Sequence, residues 1–216
     1  MTVPRLAARL REETHALHHV AEHSGIMRDL LRGRLDRHLY LLLLRNLHAI
    51  YAALESALNR HAESTLVAPV RFPLLFREPA LREDLEHLHG SDWASLSIVD
   101  AAAAYVERLQ QLSDDRPVLL TAHAYVRYMG DLSGGQLLHE IVRRSYGADS
   151  TGTAFYRFPV AVDVRTIKAQ FHTALETLGV DADEERNIVD EAKSAFSRHA
   201  RLFEELAAPR YTPSPP

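Results

Sequence analysis

Apolar residues recur along most of this chain at intervals of three and four positions, which is the spacing of one face of an α-helix. One such stripe consists of Leu43, Leu47, Ile50, Leu54 and Leu58. No stretch alternates apolar and polar residues in the way that a half-buried strand requires. The pattern therefore predicts an all-α protein, built as a single irregular helical bundle.

Capping residues set the predicted helix boundaries. Asp36 suits an N-cap, and Ser97 with Asp100 has the spacing of a capping box. Asp115 suits the N-cap of a later helix, whose first turn then holds Pro117. The predicted helices cover about residues 4–22, 25–32, 36–60, 80–89, 97–112, 115–146, 163–178 and 182–206.

Prolines and glycines mark the predicted breaks between these helices. Residues 62–79 carry three prolines, Pro79 among them, and are predicted to form a loop. Gly147 is the predicted stop of the helix that precedes it. We expect residues 1–207 to form the helical domain and residues 208–216 to form a Pro-rich, disordered tail.

Composition excludes several classes of function. The 216 residues include no cysteine, so a disulfide framework, a thiolate nucleophile and a Cys-ligated metal are ruled out. A formal net charge of -4 gives no basic field for nucleic acid. The most apolar run, Leu39 to Leu44, is far shorter than the roughly 20 residues of a membrane span. We expect a cytoplasmic monomer with no membrane or nucleic-acid partner.

Three glycines lie within six residues of one predicted helix. Gly130, Gly134 and Gly135 each cost roughly 1 kcal/mol relative to alanine in a helix interior. Glycines without Cβ let the backbone approach a flat, bulky ligand, and Arg127 and Asp131 lie on the same face one turn apart. Close packing of a second helix on the small residues explains the spacing equally well, so both interpretations stay open.

Histidines are concentrated in the first predicted helix, although a chain with 13 histidines must hold most of them for structural or surface reasons. His18 lies at the margin of the apolar stripe, whereas His19 points to the opposite side. Glu22 follows His18 by one turn, and Arg11 precedes it by two turns, about 10 Å along the axis. Such a histidine could ligate an iron, with the cation meeting an anionic group beyond it.

These stretches together resemble the heme oxygenase family. Residues 130–136, GDLSGGQ, resemble the family's distal-helix signature, and residues 14–23, followed by Met27, resemble its proximal helix. Residues 48–55 and 191–206 contain further similar segments, in the family's order. The resemblance covers nearly the whole chain and implies the heme oxygenase fold, in which heme lies between the proximal and distal helices.

The resemblance implies a role for each matching position. His18 takes the place of the proximal iron ligand, and Glu22 lies beside it as a partner that orients the imidazole. Asp131 takes the place of the distal carboxylate, which holds a water network beside bound O2. The other matches are Arg127 and Tyr51 in that network, Gly130 and Gly134 close to the heme face, and Arg11, Tyr125 and Lys168 at the heme propionates.

Two positions depart from the family's pattern. His172 stands where many members have an arginine that pairs with a propionate, and His199 stands where many have an asparagine in the distal network. Arginine is a permanently charged, bidentate partner for a carboxylate, whereas histidine pairs with a propionate only when protonated. Propionate pairing affects how heme is rotated, and rotation selects the biliverdin isomer. We expect the common α isomer.

The implied activity is the oxidative cleavage of heme b to biliverdin, CO and ferrous iron. It uses O2 and electrons from an external donor, a ferredoxin or an NAD(P)H-dependent reductase, and heme is cofactor and substrate together. Three alternatives are a non-catalytic heme carrier or sensor on the same scaffold, a thiaminase-like helical enzyme, and a structural interaction module. Heme binding without biliverdin formation would favour the first, and failure to bind heme would favour the others.

Overall fold

Eight α-helices, joined by loops and short 3-10 turns, make up the computed structural model in the residues that it describes, 6–146, 152–159, 163–209 and 211. No strand occurs in these ranges, so the all-α prediction is confirmed. The helices are α1 Leu6–Glu22, α2 Met27–Leu31, α3 Arg37–Arg60, α4 Glu78–His89, α5 Asp100–Asp115, α6 Leu120–Tyr146, α7 Val164–Glu176 and α8 Ala182–Leu206.

Aspartates cap three of the helices. The Asp36 carboxylate accepts hydrogen bonds from the backbone N–H groups of residues 38 and 39, at 2.7 and 3.4 Å, so the predicted N-cap of α3 is present. Asp163 and Asp181 cap α7 and α8 in the same way. Each side chain satisfies N–H groups that have no partner within the helix.

The predicted capping box at α5 is wrong. Val99, and not Ser97, is the N-cap residue, and its side chain makes no cap hydrogen bond. Residues from other helices satisfy the N–H groups at this end instead. Asn46 Oδ1 accepts from Val99 N at 2.8 Å, and Glu205 Oε2 accepts from Ala101 N at 2.8 Å. Tertiary contacts therefore take the place of a local cap.

Two further boundaries differ from the prediction. Asp115 is the last residue of α5 rather than an N-cap, because the α5 ladder continues to Arg116 N, 3.0 Å from Leu112 O. Pro117 then opens a 3-10 turn, and α6 begins at Leu120. Pro79 lies in the first turn of α4 rather than in a loop, where its missing N–H costs nothing.

Some predicted boundaries concern residues outside the described ranges. These are the stop at Gly147, the first residues of the predicted first helix and most of the C-terminal tail. Among the described residues, no helix is long and apolar enough to cross a membrane.

Helix packing brings α1 and α6 together on α8. The helix α1 packs along α8, α6 also packs on α8, and α3 packs on α4 and α5. Leucine is the most frequent of the buried residues, and four tyrosines are completely buried among them. They are Tyr40, Tyr51, Tyr105 and Tyr128.

The segment 152–159 packs beside α4 and faces the site. The buried Asp84 carboxylate accepts hydrogen bonds from Ala154 N and Phe155 N at 2.7 and 2.8 Å. Burial raises the pKa of Asp84 to about 6, although these two bonds oppose the shift. Tyr40 donates to the carbonyl of Gly152 at 2.8 Å. These bonds hold Phe155 and its neighbours where they form one wall of the cleft described next.

Candidate active site

A cleft of about 340 Å³ opens between α1 and α6. Its volume lies at the lower end of the roughly 300–1,000 Å³ of ligand pockets. Met27 and Leu30 of α2, leucines from α3, aromatic residues from α8 and the segment 152–159 complete its walls. Its lining includes residues that the sequence singles out, namely His18, Glu22, Arg127, Gly130, Asp131, Gly134, Gly135 and His199.

His18 faces the cleft from α1 and is 46% exposed. Its Nδ1 lies 3.6 Å from Glu22 Oε2, one turn later, and its ring meets the edge of Phe196 with centroids 5.6 Å apart. Its Nε2 has no hydrogen-bond partner among the described residues. A carboxylate therefore lies near one ring nitrogen, just beyond hydrogen-bond distance, and the other nitrogen is open to a ligand.

The neighbouring histidines of α1 are absent from the lining of the cleft. His15, His19 and His23 are all exposed, and the rings of His19 and His23 stack on each other with centroids 4.2 Å apart. No group of three or more His, Cys, Asp or Glu side chains within the described ranges is arranged to hold a metal ion. His18 is thus a single ligand candidate rather than part of a multi-ligand protein site.

The glycines of α6 have different surroundings. A Cβ added to Gly130 or to Gly134 would meet no atom within 4 Å, whereas a Cβ on Gly135 would lie 3.4 Å from the carbonyl oxygen of Tyr156. The surroundings favour the bare-backbone interpretation at Gly130 and Gly134, and no other α-helix of the described residues lies within 4 Å of an added Cβ at any of the three glycines. Gly135 permits close packing on the segment 152–159, and the other two leave a bare strip of backbone along the cleft.

Asp131 lies across the cleft at the centre of a buried polar network. The Tyr51 hydroxyl donates a hydrogen bond to Asp131 Oδ2, and Arg127 Nε donates to the Tyr51 oxygen at 2.9 Å. Arg127 Nη2 lies 3.6 Å from Asp131 Oδ1. Tyr51 does not line the cleft, and its hydroxyl holds the Asp131 carboxylate from inside the protein. The network fixes the orientation of the carboxylate without blocking the cleft.

Burial governs the protonation of this carboxylate. Desolvation raises the pKa of Asp131, while the charge of Arg127 and the hydrogen bond from Tyr51 oppose the shift. The positive charge of Arg127 by itself favours the ionised carboxylate. The net shift is upward because the carboxylate is removed from water, which the sequence does not show.

His199 joins the network from α8. Its Nε2 lies 2.7 Å from Arg127 Nη1, and its Nδ1 lies 2.8 Å from the carbonyl of Ala195. Because the guanidinium can only donate, Nε2 accepts and Nδ1 carries the proton. Burial and the charge of Arg127 lower the pKa of His199 well below its ordinary value, so the ring is neutral.

A second buried group continues from His199 toward the surface, and sequence reasoning missed it. The Tyr105 ring meets the edge of His199 with centroids 5.1 Å apart, and its hydroxyl lies 2.9 Å from His123 Nδ1. His123 Nε2 in turn lies 3.0 Å from Glu191 Oε1. No local pattern distinguishes these residues from ordinary core positions, since they come from three helices.

Glu191 connects this group to a cation. Arg108 donates two hydrogen bonds to the carboxylate, at 3.2 and 2.6 Å. Burial acts to raise the pKa of Glu191, but the hydrogen bonds from His123 and Arg108 prevail and lower it to about 2. The chain of polar groups therefore ends on a stable ion pair at its outer end.

The four predicted propionate contacts lie outside the lining of the cleft. Lys168 contacts a residue of the cleft lining. Its Nζ donates a hydrogen bond at 2.8 Å to Ser133 Oγ, and Ser133 lines the cleft. Tyr125 is buried, and burial raises its pKa while the charge of Arg11 opposes the shift. Arg11 and His172 are exposed, on α1 and α7.

Comparison with known proteins identifies relatives over nearly the whole chain. The heme oxygenase family model matches residues 4–205. Heme oxygenase 1 of Synechocystis sp. is 37% identical over 202 residues, which are 93% of this chain and 84% of that protein. Heme oxygenase 1 of Gallus gallus is 37% identical over 205 residues, which are 93% of this chain and 69% of that protein.

Solved structures agree with these relatives. The crystal structure of heme oxygenase-1 from Synechocystis sp. in complex with heme matches with a TM-score of 0.90 and 36% identity, covering 94% of this chain and 92% of that one. Heme oxygenase from Leptospira interrogans matches with a TM-score of 0.90 and 35% identity, covering 94% and 100% of the two chains. This chain therefore belongs to the heme oxygenase family of heme-degrading enzymes.

Proposed function

We propose that this chain binds heme b in the cleft between α1 and α6 and cleaves it to biliverdin, CO and ferrous iron. The observation that carries the proposal is that His18 and Asp131 line one cleft, from different helices, with Gly130 and Gly134 leaving room between them. A relative of similar fold was solved in complex with heme. Bound heme supplies the iron that activates O2 and the ring that is opened.

His18 is the proposed iron ligand. A neutral imidazole binds iron through one nitrogen while its other nitrogen is held by a hydrogen-bonding partner. The contact between Nδ1 and Glu22 leaves Nε2 for the iron. Gly130 and Gly134 leave bare backbone on the opposite side of the cleft, and the His199 imidazole that also lines the cleft has both ring nitrogens hydrogen-bonded within the protein. O2 therefore has an open side from which to approach.

Asp131 is the proposed proton-delivering group, acting through a bound water. Tyr51 and Arg127 hold the carboxylate at the wall of the cleft, where an oxygen can accept a hydrogen bond from a water. The upward shift of its pKa brings the carboxyl closer to the range in which it exchanges a proton near neutral pH. Delivery through water keeps the acid away from the reacting atoms.

Cations at the mouth of the cleft are proposed to hold the propionates. Lys168 reaches this mouth through Ser133, and Arg11 lies near Tyr125 on the side of α1. His172 follows Lys168 by one turn on α7 and is proposed to add a contact when protonated. Two permanent charges from different helices would fix the rotation of heme in the cleft.

A heme carrier or sensor on this scaffold is the alternative, and no observation favours it. Heme binding without cleavage needs only an iron ligand such as His18 and an apolar cleft. Placing Arg127 and Asp131, each only 12% exposed, around the fully buried Tyr51 carries a desolvation cost that binding does not require. The electron donor, a ferredoxin or an NAD(P)H-dependent reductase, the cytoplasmic location, the monomer and the division into residues 1–207 and 208–216 stay predictions from sequence.

Turnover of added hemin tests the proposal. Hemin is added to the purified protein, followed in air by ascorbate or a reductase, while the Soret band and the product spectrum are recorded. We expect the Soret band to disappear as biliverdin forms, with iron recovered as a ferrous chelate. A stable Soret band under continued reduction would support the carrier, and failure to bind hemin would overturn both.

A further inference from the structure

Three buried side chains adjoin the distal network without lining the cleft, and the proposed heme chemistry uses none of them. Glu55 and Arg77 are each 4% exposed, and Tyr128 is completely buried. Glu55 follows Tyr51 by one turn of α3, and Tyr128 precedes Asp131 by three residues of α6. Because residues three or four apart share a helix face, Glu55 and Tyr128 extend the faces that carry the network.

Glu55 holds the start of α4 and still has hydrogen-bonding capacity to spare. Its Oε1 accepts from Arg77 N at 2.5 Å, and its Oε2 accepts from Glu78 N at 3.1 Å. Each carboxylate oxygen can accept a second hydrogen bond. Burial raises the pKa of Glu55 to about 7 and the charge of Glu78 adds to the shift, while the two hydrogen bonds and the charge of Arg77 oppose it. This carboxyl therefore gains and loses a proton near neutral pH.

The Tyr128 hydroxyl makes no hydrogen bond within the described part of the chain, although it is buried. Burial raises its pKa well above the ordinary value, and the charges of Glu55 and Asp131 raise it further, while Arg77 and Arg127 oppose the shift. The hydroxyl is thus near both carboxyl groups and bonded to neither. Buried hydroxyls in proteins normally have a partner, and an internal water supplies one where several polar groups converge.

We propose that the Tyr128 hydroxyl and the Glu55 carboxyl bind one internal water, and that Glu55 acts through this water and Tyr128 on the protonation of Asp131. The site lies beside the cleft and not in it, so it does not compete with heme or O2. Its consequence for proton delivery rests on the proposed function of Asp131, whereas the water site itself does not.

The protonation of Glu55 then sets the direction of the Tyr128 hydroxyl. An ionised Glu55 accepts from the water, and the water accepts from the hydroxyl, whose proton points away from Asp131. A protonated Glu55 donates to the water, and the water donates to the Tyr128 oxygen. The hydroxyl proton can then turn toward Asp131, where it favours the ionised carboxylate. Glu55 is therefore a positioning residue, and no proton has to pass between the two carboxyl groups.

The competing explanation is purely structural. Glu55 would serve only to hold the start of α4, and the Tyr128 ring would serve only to fill space beside Tyr51 and Phe76, whose ring centroids each lie 6.5 Å from its own. Neither role involves the Tyr128 hydroxyl. Tyr128→Phe, which removes that hydroxyl and keeps the ring, separates the two explanations.

Infrared titration of the heme-free protein measures the effect. Glu55→Gln identifies the carbonyl band of protonated Glu55, which should fade as pH rises through about 7. In Tyr128→Phe this band should move to higher frequency, because the carboxyl loses the hydrogen bond to the water. The Asp131 band, identified with Asp131→Asn, should persist to higher pH in Tyr128→Phe, because the hydroxyl that favours its ionised form is gone.

Asp84 is the internal control. It is a buried carboxyl that accepts from two backbone N–H groups, like Glu55, and burial raises its pKa to about 6, but it holds the segment 152–159 instead. Its band, identified with Asp84→Asn, should be the same in Tyr128→Phe and in the wild type.

Thermal unfolding of the heme-free protein gives a second measurement. Tyr128→Phe should lower the midpoint temperature by about 2–4 °C, as expected for one lost hydrogen bond in a chain of this size, whereas removal of an unsatisfied hydroxyl would raise it. A midpoint that stays or rises, a Glu55 band that is absent or unmoved, an Asp131 band that is unmoved, or an Asp84 band that moves as much would overturn the proposal. Since no measurement uses heme, the result is independent of whether the proposed heme cleavage is correct.

Discussion

His199 determines how Arg127 is held in the distal network. Its Nε2 accepts from the guanidinium, and its Nδ1 donates to Ala195, so both ring nitrogens are satisfied inside the protein. An asparagine, which many members of the family have here, is shorter and has no ring to fill the space beside Tyr105. The histidine therefore acts as a positioning residue for Arg127, and through it for Asp131.

Replacement of His199 by leucine should leave one buried N–H of Arg127 without an acceptor. A buried unsatisfied donor costs about 1–3 kcal/mol, so the free energy of unfolding should fall by that amount. His199→Gln keeps an acceptor and should lose less. Denaturant unfolding of the three proteins measures this, and equal stability of His199→Leu and the wild type would contradict the assigned hydrogen bond.

The same residue predicts a pH dependence. The pKa of His199 is far below its value in the unfolded chain, about 6.5, so the unfolded state binds more protons below that pH. The stabilising contribution of the neutral ring is present above about pH 6.5 and is lost as pH falls below it. Wild type should therefore lose stability relative to His199→Gln between pH 7 and pH 5. A constant difference across this range would show that the ring is not held neutral.

Replacement of His18 by alanine should abolish the spectrum of histidine-ligated heme. Added imidazole should restore it, because the cavity left by the side chain admits a free ligand. His19→Ala is the matched control, since it removes the adjacent imidazole outside the cleft and should leave the spectrum unchanged. Loss of the spectrum in His19→Ala, with none in His18→Ala, would overturn the assignment.

At the scale of the element, α6 carries glycines at a cost to its own stability. Gly134→Ala should raise the free energy of unfolding of the heme-free protein by up to about 1 kcal/mol, because the added methyl group meets open space and alanine favours the helix. The same methyl group projects into the cleft and should weaken heme binding. Thermal unfolding and hemin titration measure the two effects, and unchanged heme affinity would show that the glycine has another purpose.

Helix positions could be predicted from sequence because they depend on local periodicity and local caps. Asp36 shows this, since its carboxylate caps the N–H groups two and three residues later. The start of α5 could not be predicted, because Asn46 and Glu205 reach it from distant parts of the chain. The Tyr105–His123 pair could not be predicted for the same reason, because its two residues lie on different helices and make no local pattern.

At the scale of the whole molecule, the site depends on the arrangement of five helices, α1, α2, α3, α6 and α8. The motifs on α1 and α6 could be found in the sequence, and the structure brings His18 and Asp131 to one cleft because both helices pack on α8. Burial of Asp131 is a property of that arrangement. For this reason its raised pKa follows from the structure and not from the motif.

The rotation of heme in the cleft should depend on Lys168. Removal of its charge in Lys168→Gln should yield a mixture of biliverdin isomers, whereas we expect the wild type to yield mainly the α isomer. Arg186→Gln, which removes an exposed cation of α8, is the control. Chromatography of the product separates the isomers. An unchanged isomer pattern in Lys168→Gln would remove this residue from propionate binding, and His172→Arg then tests whether position 172 serves instead.

The yield of biliverdin per bound heme in Asp131→Ala tests the central claim most directly. The substitution removes no proposed iron ligand and adds no side-chain bulk to the cleft, so heme affinity should stay near that of the wild type. Ring opening should be mostly lost, because the water that delivers the proton loses its anchor, and Asp131→Asn should fall between the two. Biliverdin formation by Asp131→Ala at the wild-type rate, with heme bound normally, would contradict the account.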